Sequence, residues 1–225
     1  MPITPTTTVP LPPSSQSRAA GLLTRALIDD PIYSFGIPDR VKRALYTFSI
    51  WRATIRSCLL FGDVYTTSTF DGVACWTAPG NADLTPWQLL RSAFALPVAI
   101  LRLPSDARRR IRSSMLLIDS QRRAYRPKTF WYLQALGVDP CCQNRGVGTS
   151  LIAPVLRMAD SEHMPCYLET DIERNVAFYE KSGFHVLAQL EIQGAPLRLW
   201  TMHRWPNGKS VGCRLTAHKW PTKPP

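Results

Sequence analysis

Phe130-Trp131-Tyr132-Leu133-Gln134-Ala135-Leu136-Gly137-Val138, followed without a break by Asp139-Pro140-Cys141-Cys142-Gln143-Asn144-Arg145-Gly146-Val147-Gly148-Thr149, is the stretch that decides how this chain folds. The first run is apolar at nearly every position, so both of its faces are buried, and a strand of that kind lies centrally in a sheet. The second turns polar, carries Pro140 and two glycines, and opens a helix that runs from Gly146 to about Glu162. The glycines fall where strand gives way to helix. There the backbone N–H groups can approach a phosphate closely, and the unpaired amides and positive end of the helix stabilise its charge. Arg145 can add a charge-assisted hydrogen bond.

Toward the C-terminus the pattern continues in alternation. Pro165 to Glu169 reads as a short strand, Ile172 to Ser182 as a helix, and Phe184 to Ile192 with Leu197 to His203 as two closing strands. Thr170 and Glu173 have the spacing of a capping box, which marks the second helix start. Asn175 and Tyr179 are four residues apart on that helix and share a face, so one ligand can meet both.

Toward the N-terminus, Ala19, Leu22, Leu23, Ala26 and Leu27 recur at helical spacing and stop at Asp29-Asp30-Pro31, with a loop near 32–38. A second helix begins after Pro38-Asp39, runs to about Ser57, and places Val41, Ala44, Leu45, Phe48 and Trp51 on one core-facing stripe. Asp63 to Pro79 changes to a β-hairpin around Asp71-Gly72. Thr85-Pro86-Trp87-Gln88 starts a helix that breaks near Pro97, and Ser105 to about Arg123 is another. Trp87, Phe94 and the apolar run to Leu101 read as core packing, with an exposed patch for a dimer or lid as the alternative.

At 225 residues the chain is expected to form one domain over 14–204, with a flexible arm over 1–13 and a basic, Pro-rich tail over 205–225. The arm lacks the charged and apolar regions of a secretory signal, and the apolar run from Ser92 to Leu101 is short of the roughly 20 residues that span a bilayer. With 27 Lys and Arg against 16 Asp and Glu, the net charge of +11 favours polyanionic partners such as nucleic acid, acidic membranes or phosphorylated cofactors. Much of the excess lies in Arg108, Arg109, Arg110, Arg112, Arg122, Arg123, Arg126 and Lys128, which reads first as a solvated face and second as a surface for an acidic ligand. No recognition motif supports nucleic acid, and no membrane partner is expected. Six cysteines and the scattered histidines show no metal spacing, so no metal is expected, and a reduced, cytoplasmic chain fits best.

The loop from Gln143 to Gly148, together with Asn175, Phe178, Tyr179, Gly183 and Phe184, resembles the GNAT superfamily of N-acetyltransferases. Within it, the likeness is greatest to puromycin N-acetyltransferase-like members, through Tyr125-Arg126-Pro127-Lys128, Trp131 to Val138, Leu168-Glu169-Thr170, Arg174-Asn175, Phe178-Tyr179-Glu180 and Gly183-Phe184. The resemblance covers about 125–204 and thins upstream to Asp29, Pro31 and the strand Ala74 to Pro79; 80–124 carries no specific match.

The resemblance implies an α/β fold with a mixed sheet of about six to seven strands flanked by helices. It implies acetyl-CoA as co-substrate, held by Leu136, Gly137, Val138, Gln143, Asn144, Arg145, Gly146, Val147, Gly148, Thr149, Asn175 and Phe178. The Val138 amide then resembles an oxyanion donor. An amine attacks the thioester in a ternary complex, and Tyr179 protonates the departing thiolate. Glu169, at a strand's C-terminal end, is the candidate general base. The expected activity is acetylation of a primary amine on a small molecule, antibiotic-like or metabolic. The alternatives are a protein or peptide amine acetyltransferase, or a non-catalytic acyl-CoA sensor; the oligomeric state is open.

Overall fold

The computed structural model describes residues 7–82, 85–92, 95–125, 127–192 and 194–206. The first six residues of the expected arm, the tail from 207, Phe94 and Arg126 lie outside the described residues. Seven strands form one sheet: β1 (Thr8–Pro10), β2 (Gly62–Thr67), β3 (Gly72–Thr77), β4 (Trp131–Val138), β5 (Cys166–Thr170), β6 (His185–Glu191) and β7 (Arg198–Arg204). Their order is β1-β2-β3-β4-β5-β7-β6. Every pairing is antiparallel except β4 with β5.

The helices are α1 (Gln16–Ala26), α2 (Pro31–Gly36), α3 (Arg40–Phe61), α4 (Pro86–Arg91), α5 (Ala95–Leu101), α6 (Ser105–Ala124), α7 (Val147–Ser161) and α8 (Glu173–Glu180). One core layer joins α1, α2, α3, α5 and α6 to Val73, Cys75, Ala135 and Leu199. The opposite layer joins α7 and α8 to Ala74, Trp76, Trp131, Leu133 and Leu168. β4 is therefore covered on both faces, as its unbroken apolar run requires.

Several local expectations are corrected. Part of the arm is not loose: Thr8–Pro10 pairs with Thr67, Thr66 and Tyr65, and Leu11 is buried. The 32–38 loop contains the short helix α2, which starts because Pro31 occupies its first position and the Asp30 side chain accepts from the Tyr33 N–H. The helix begun at Thr85 ends at Arg91, ahead of Pro97 as expected, and Pro97 itself sits in the first turn of α5, where its missing N–H is harmless. Trp87 and Leu101 are exposed rather than packed.

The stripe proposed for α3 is rotated. Val41 and Leu45 are 72% and 67% exposed, while Thr47, Ile50, Trp51, Thr54, Ile55 and Cys58 face inward. Continued toward the N-terminus, that inward stripe reaches Arg43, whose guanidinium donates to the Ile37 carbonyl and pairs with Asp29. The expected box at Thr85 and Gln88 is formed in both directions.

Candidate active site

β4 and β5 share only three pairs, Trp131 with Cys166, Tyr132 with Tyr167 and Leu133 with Leu168. The cause lies one strand away. On β3, Cys75 pairs with Ala135 and Trp76 with Leu133, so Gln134 is an extra residue on β4. Such a bulge bends its strand and reverses which face later residues take. Trp131 and Leu133 face α7, yet Ala135 falls in the α1 layer and Gly137 lies against Leu23 and Ala26 of α1. Gln134 is held out of phase by donating to Thr77 Oγ1 at 2.6 Å. Beyond the bulge β4 from Ala135 to Val138 has no ladder to β5, so the facing edges of the two strands open at their C-terminal ends with backbone groups unpaired between them.

The loop from Asp139 to Gly146 closes one side of that opening. Asp139 accepts from the Cys141 N–H, pairs with Arg25 at 2.8 Å, and donates its own N–H to the Asp71 carbonyl. Gln143 Nε2 donates to the Val138 carbonyl at 3.2 Å, tying loop to strand. Asn144 (φ 60°) and Gly146 (φ 78°) take the left-handed conformation, and nothing lies within 4 Å of a Cβ built on Gly146. Gly146 caps α7 without a side-chain bond, and no acidic residue stands in the first turn. The amides of Val147, Gly148 and Thr149 thus begin the helix without carbonyl partners of its own. The Val147 side chain is buried in the core, so only its amide is available, whereas Arg145 and Thr149 are exposed.

α8 closes the other side. A Cβ on Gly148 would stand 3.2 Å from the Phe178 ring and 3.8 Å from Leu136, so this glycine permits α7 to approach α8. The expected capping box is absent: α8 starts at Glu173 with Ile172 as its cap, which places Glu173 one residue inside the helix rather than three. Thr170 instead accepts from the Ile172 N–H and from Asn175 Nδ2, both at about the limit of hydrogen bonding. Tyr179 is 7% exposed and packs edge-on against Phe178 and Phe184. Its hydroxyl has no hydrogen-bond partner among the described residues, and burial holds the phenol well above its usual pKa, hence protonated.

Glu169 lies on the opposite sheet face, with Tyr167 beside it on β5 and Tyr132 across on β4. Tyr132 and Tyr167 have ring centroids 6.0 Å apart. The Arg122 guanidinium of α6 stands 5.5 Å from the Tyr132 ring and is paired with Asp119 at 2.5 Å. Glu169 Oε1 and the Tyr167 hydroxyl are buried without hydrogen bonds. Burial pushes the Glu169 carboxyl up to about 7, against the Tyr132 hydroxyl, Arg122 and the Tyr167 hydroxyl, which favour the carboxylate. A group poised there is charged in part and protonatable in part near neutrality, as general base catalysis requires.

A sequence profile of the acetyltransferase (GNAT) family matches residues 114–184, from within α6 through β4, α7 and β5 to just beyond α8. An N-acetyltransferase of Schizosaccharomyces pombe, itself uncharacterised, is 28% identical over 174 residues, 74% of this chain and 69% of that protein. Among solved structures, the histone acetyltransferase HPA2 and related acetyltransferase from Corynebacterium glutamicum superposes with a TM-score of 0.63 at 18% identity, over 92% of this chain and 99% of that one. Arylalkylamine N-acetyltransferase 2 from Aedes aegypti gives 0.60 at 12%, over 91% and 100%. The chain has the fold of these acetyltransferases, and residues 114–184 carry the sequence pattern of the acetyltransferase (GNAT) family. Its seven-stranded mixed sheet flanked by helices is the GNAT fold.

The structure brings Leu136, Val138, Gln143, Gly146, Gly148 and Phe178 to one end of the sheet, with Asn175 and Tyr179 on the adjoining helix. Glu169 is on the far face of the same split. Sequence reasoning passed over Arg122, which it placed in a solvated basic run. A signal was present: Ile111, Met115, Ile118 and Arg122 continue one helical stripe at intervals of four, three and four, and Ile118 packs into the core. It also passed over Asp30 and Asp171. The Asp171 carboxylate accepts from the Ile32 N–H at 3.0 Å, and burial pushes Asp30 well up, with the Asp171 charge adding to it. Burial raises both carboxyls where α2 meets the end of β5.

Proposed function

We propose that this chain is a GNAT acetyltransferase that moves the acetyl group of acetyl-CoA onto a primary amine of a small molecule, in the manner of the puromycin N-acetyltransferase-like proteins it resembles. The observation that carries this reading is the split between β4 and β5 after three pairs, with the α7 amides at its mouth. The residues fit the co-substrate: Gly146 leaves open space where a side chain would stand, the first turn of α7 has no acid, and Arg145 is exposed beside it. A diphosphate would lie on the amides of Val147, Gly148 and Thr149. The unpaired backbone of Leu136 to Val138 would take the pantetheine, with Asn175 opposite.

When bound, acetyl-CoA supplies a thioester carbonyl open to attack by an amine. Glu169 takes a proton from the acceptor ammonium, the Val138 amide points a donor at developing oxyanion charge, and Tyr179 donates to the departing sulfur. Tyr179 is suited to that role because burial keeps it neutral and its hydroxyl is not otherwise engaged. Among the described residues no helix is long and apolar enough to cross a membrane and no cluster of metal ligands occurs. The five cysteines among the described residues are all free, which fits a reducing compartment, and we assign the protein to the cytoplasm.

The test is calorimetric binding of acetyl-CoA to wild type and to Gly146→Glu, followed by thiol release with a panel of amines that includes puromycin. Binding lost in the variant and thiol release with a small amine are expected. No binding to wild type would overturn the assignment of the co-substrate, and turnover only with peptides would overturn that of the acceptor.

A further inference from the structure

Arg122 and Asp119 occupy the last turns of α6, a helix whose first half lies outside the family match. The Arg122 side chain is 10% exposed and that of Asp119 47%, so the cation faces inward while its partner stays near solvent. The guanidinium lies over the Tyr132 ring, and Tyr132 pairs across the sheet with Tyr167, two residues before Glu169. The cation thus stands over the ring layer beside Glu169, whose Oε1 is buried with no hydrogen bond among the described residues, and the charges of both Arg122 and Asp119 reach that carboxyl.

We infer that the Arg122–Asp119 couple sets the charge on Glu169 and with it the pH range in which the enzyme takes a proton from its amine. This rests on Glu169 being the base. In that step an N–H bond of the acceptor ammonium breaks and an O–H bond forms on Glu169, leaving a neutral amine; nothing is oxidised or reduced. Arg122 and Asp119 touch neither reactant and act as positioning residues.

The electrostatics have opposite signs. The guanidinium stabilises the Glu169 carboxylate in a setting where water screens little, and Asp119 opposes ionisation, both by its own charge and by drawing on the guanidinium. The other groups facing Glu169 do not supply this control. The Tyr132 and Tyr167 phenols are held well above their usual pKa by burial and stay neutral. Across the sheet, Glu169 pairs with Thr201, which does not ionise, and His203 on the same strand is lowered to about 4 by burial and the nearby His185. Asp171, just past the end of β5, is itself raised by burial, against the Ile32 N–H that it accepts from and the nearby Asp30.

Removing either member of the couple must move the Glu169 titration in opposite directions, which a merely structural role for α6 would not do. The experiment uses the full-length protein carrying 13C-carboxyl glutamate, with the Glu169 resonance assigned by its loss in Glu169→Gln. Arg122→Gln is expected to raise the Glu169 midpoint by about one unit, Asp119→Asn to lower it by about half a unit, and Arg122→Lys to restore it nearly to wild type. The acid limb of kcat/KM follows the same order. Midpoints within about 0.2 of wild type in both Arg122→Gln and Asp119→Asn would overturn the inference. If Arg122→Gln does not fold, Asp119→Asn, at a solvent-facing position, decides alone. Midpoints that move while the acid limb stays fixed would uphold the charge coupling and overturn Glu169 as the base.

Discussion

Glu169→Gln should make this protein more stable at alkaline pH, although it removes the proposed base. A buried carboxyl raised to about 7 from an ordinary 4.5 binds its proton more tightly in the folded than in the unfolded chain. Between those two values the native state holds the proton that the unfolded state has lost, so stability falls as pH rises through the window and stays low above it. At about 1.4 kcal/mol per unit, ionising Glu169 costs the fold at most about 3 kcal/mol by pH 8. The amide that replaces the carboxyl has no charge to desolvate, so the variant escapes that loss. The two proteins should have nearly equal stability near pH 4.5 and diverge to a gap of about 2–3 kcal/mol at pH 8, roughly 4–12 °C in Tm for a chain of this size. Urea unfolding at half-unit intervals from pH 4.5 to 8.5 measures the gap directly. Asp30, Asp171 and His203 titrate in both proteins and cancel in the difference. A gap constant within about 0.5 kcal/mol across the range, or a variant less stable than wild type at pH 8, would refute the reasoning.

Tyr179→Phe should lower kcat by about 100-fold or more while leaving acetyl-CoA affinity unchanged, because the lost hydroxyl has no partner among the described residues and, in the proposed mechanism, serves only the departing sulfur; single-turnover thiol release and calorimetry separate the two, and a change under about twofold in kcat would remove Tyr179 as the acid. Gly146→Ala should cost about 1 kcal/mol in urea unfolding through its φ of 78° alone, since a Cβ there meets nothing within 4 Å; a larger loss would mean the loop is more tightly packed than described. Leu45→Glu should change stability by less than about 0.5 kcal/mol, whereas Ile55→Ala, on the same helix but fully buried, should cost about 2–4 kcal/mol; equal effects would restore the stripe first expected for α3.

The central order of strand, glycine-bearing loop, helix, strand, helix and hairpin was legible because each element carries its own local signal. β4 is continuously apolar, α7 opens at a glycine, and the helix at Thr85 has both halves of its capping box. The errors fell where tertiary contact overrides local pattern. Val41 and Leu45 have helical spacing with Phe48, yet what fixes the α3 face is the sheet and α1 lying under Thr47 to Cys58, which the N-terminal turn does not reach. β1 has no strand signal of its own in Thr8-Val9-Pro10; it exists because β2 would otherwise leave an open edge. Thr170 and Glu173 have capping spacing, but Thr170 is already spent as the last residue of β5.

The site divides along the same line. Its proposed co-substrate side could be put forward from sequence because glycine, Asn175 and Tyr179 stand at fixed offsets within two short segments. Its base side was not legible, because Tyr132, Glu169 and Arg122 come from three separate elements and meet only through the register of β4 with β5 and the packing of α6. The bulge at Gln134 couples the two sides. Without the extra residue, Ala135 and Gly137 would exchange faces with Leu136 and Val138, Gly137 would no longer pass beneath α1, and the ladder to β5 would have no reason to stop at Leu133. One inserted residue thus opens the cleft on the face of Gly148 and Phe178 while leaving Tyr132 in phase with Tyr167 and Glu169 on the other. The proposed chemistry needs both: a gap in the sheet for the thioester, and an intact, buried sheet face beside it where a carboxyl is held poised to titrate near neutral pH.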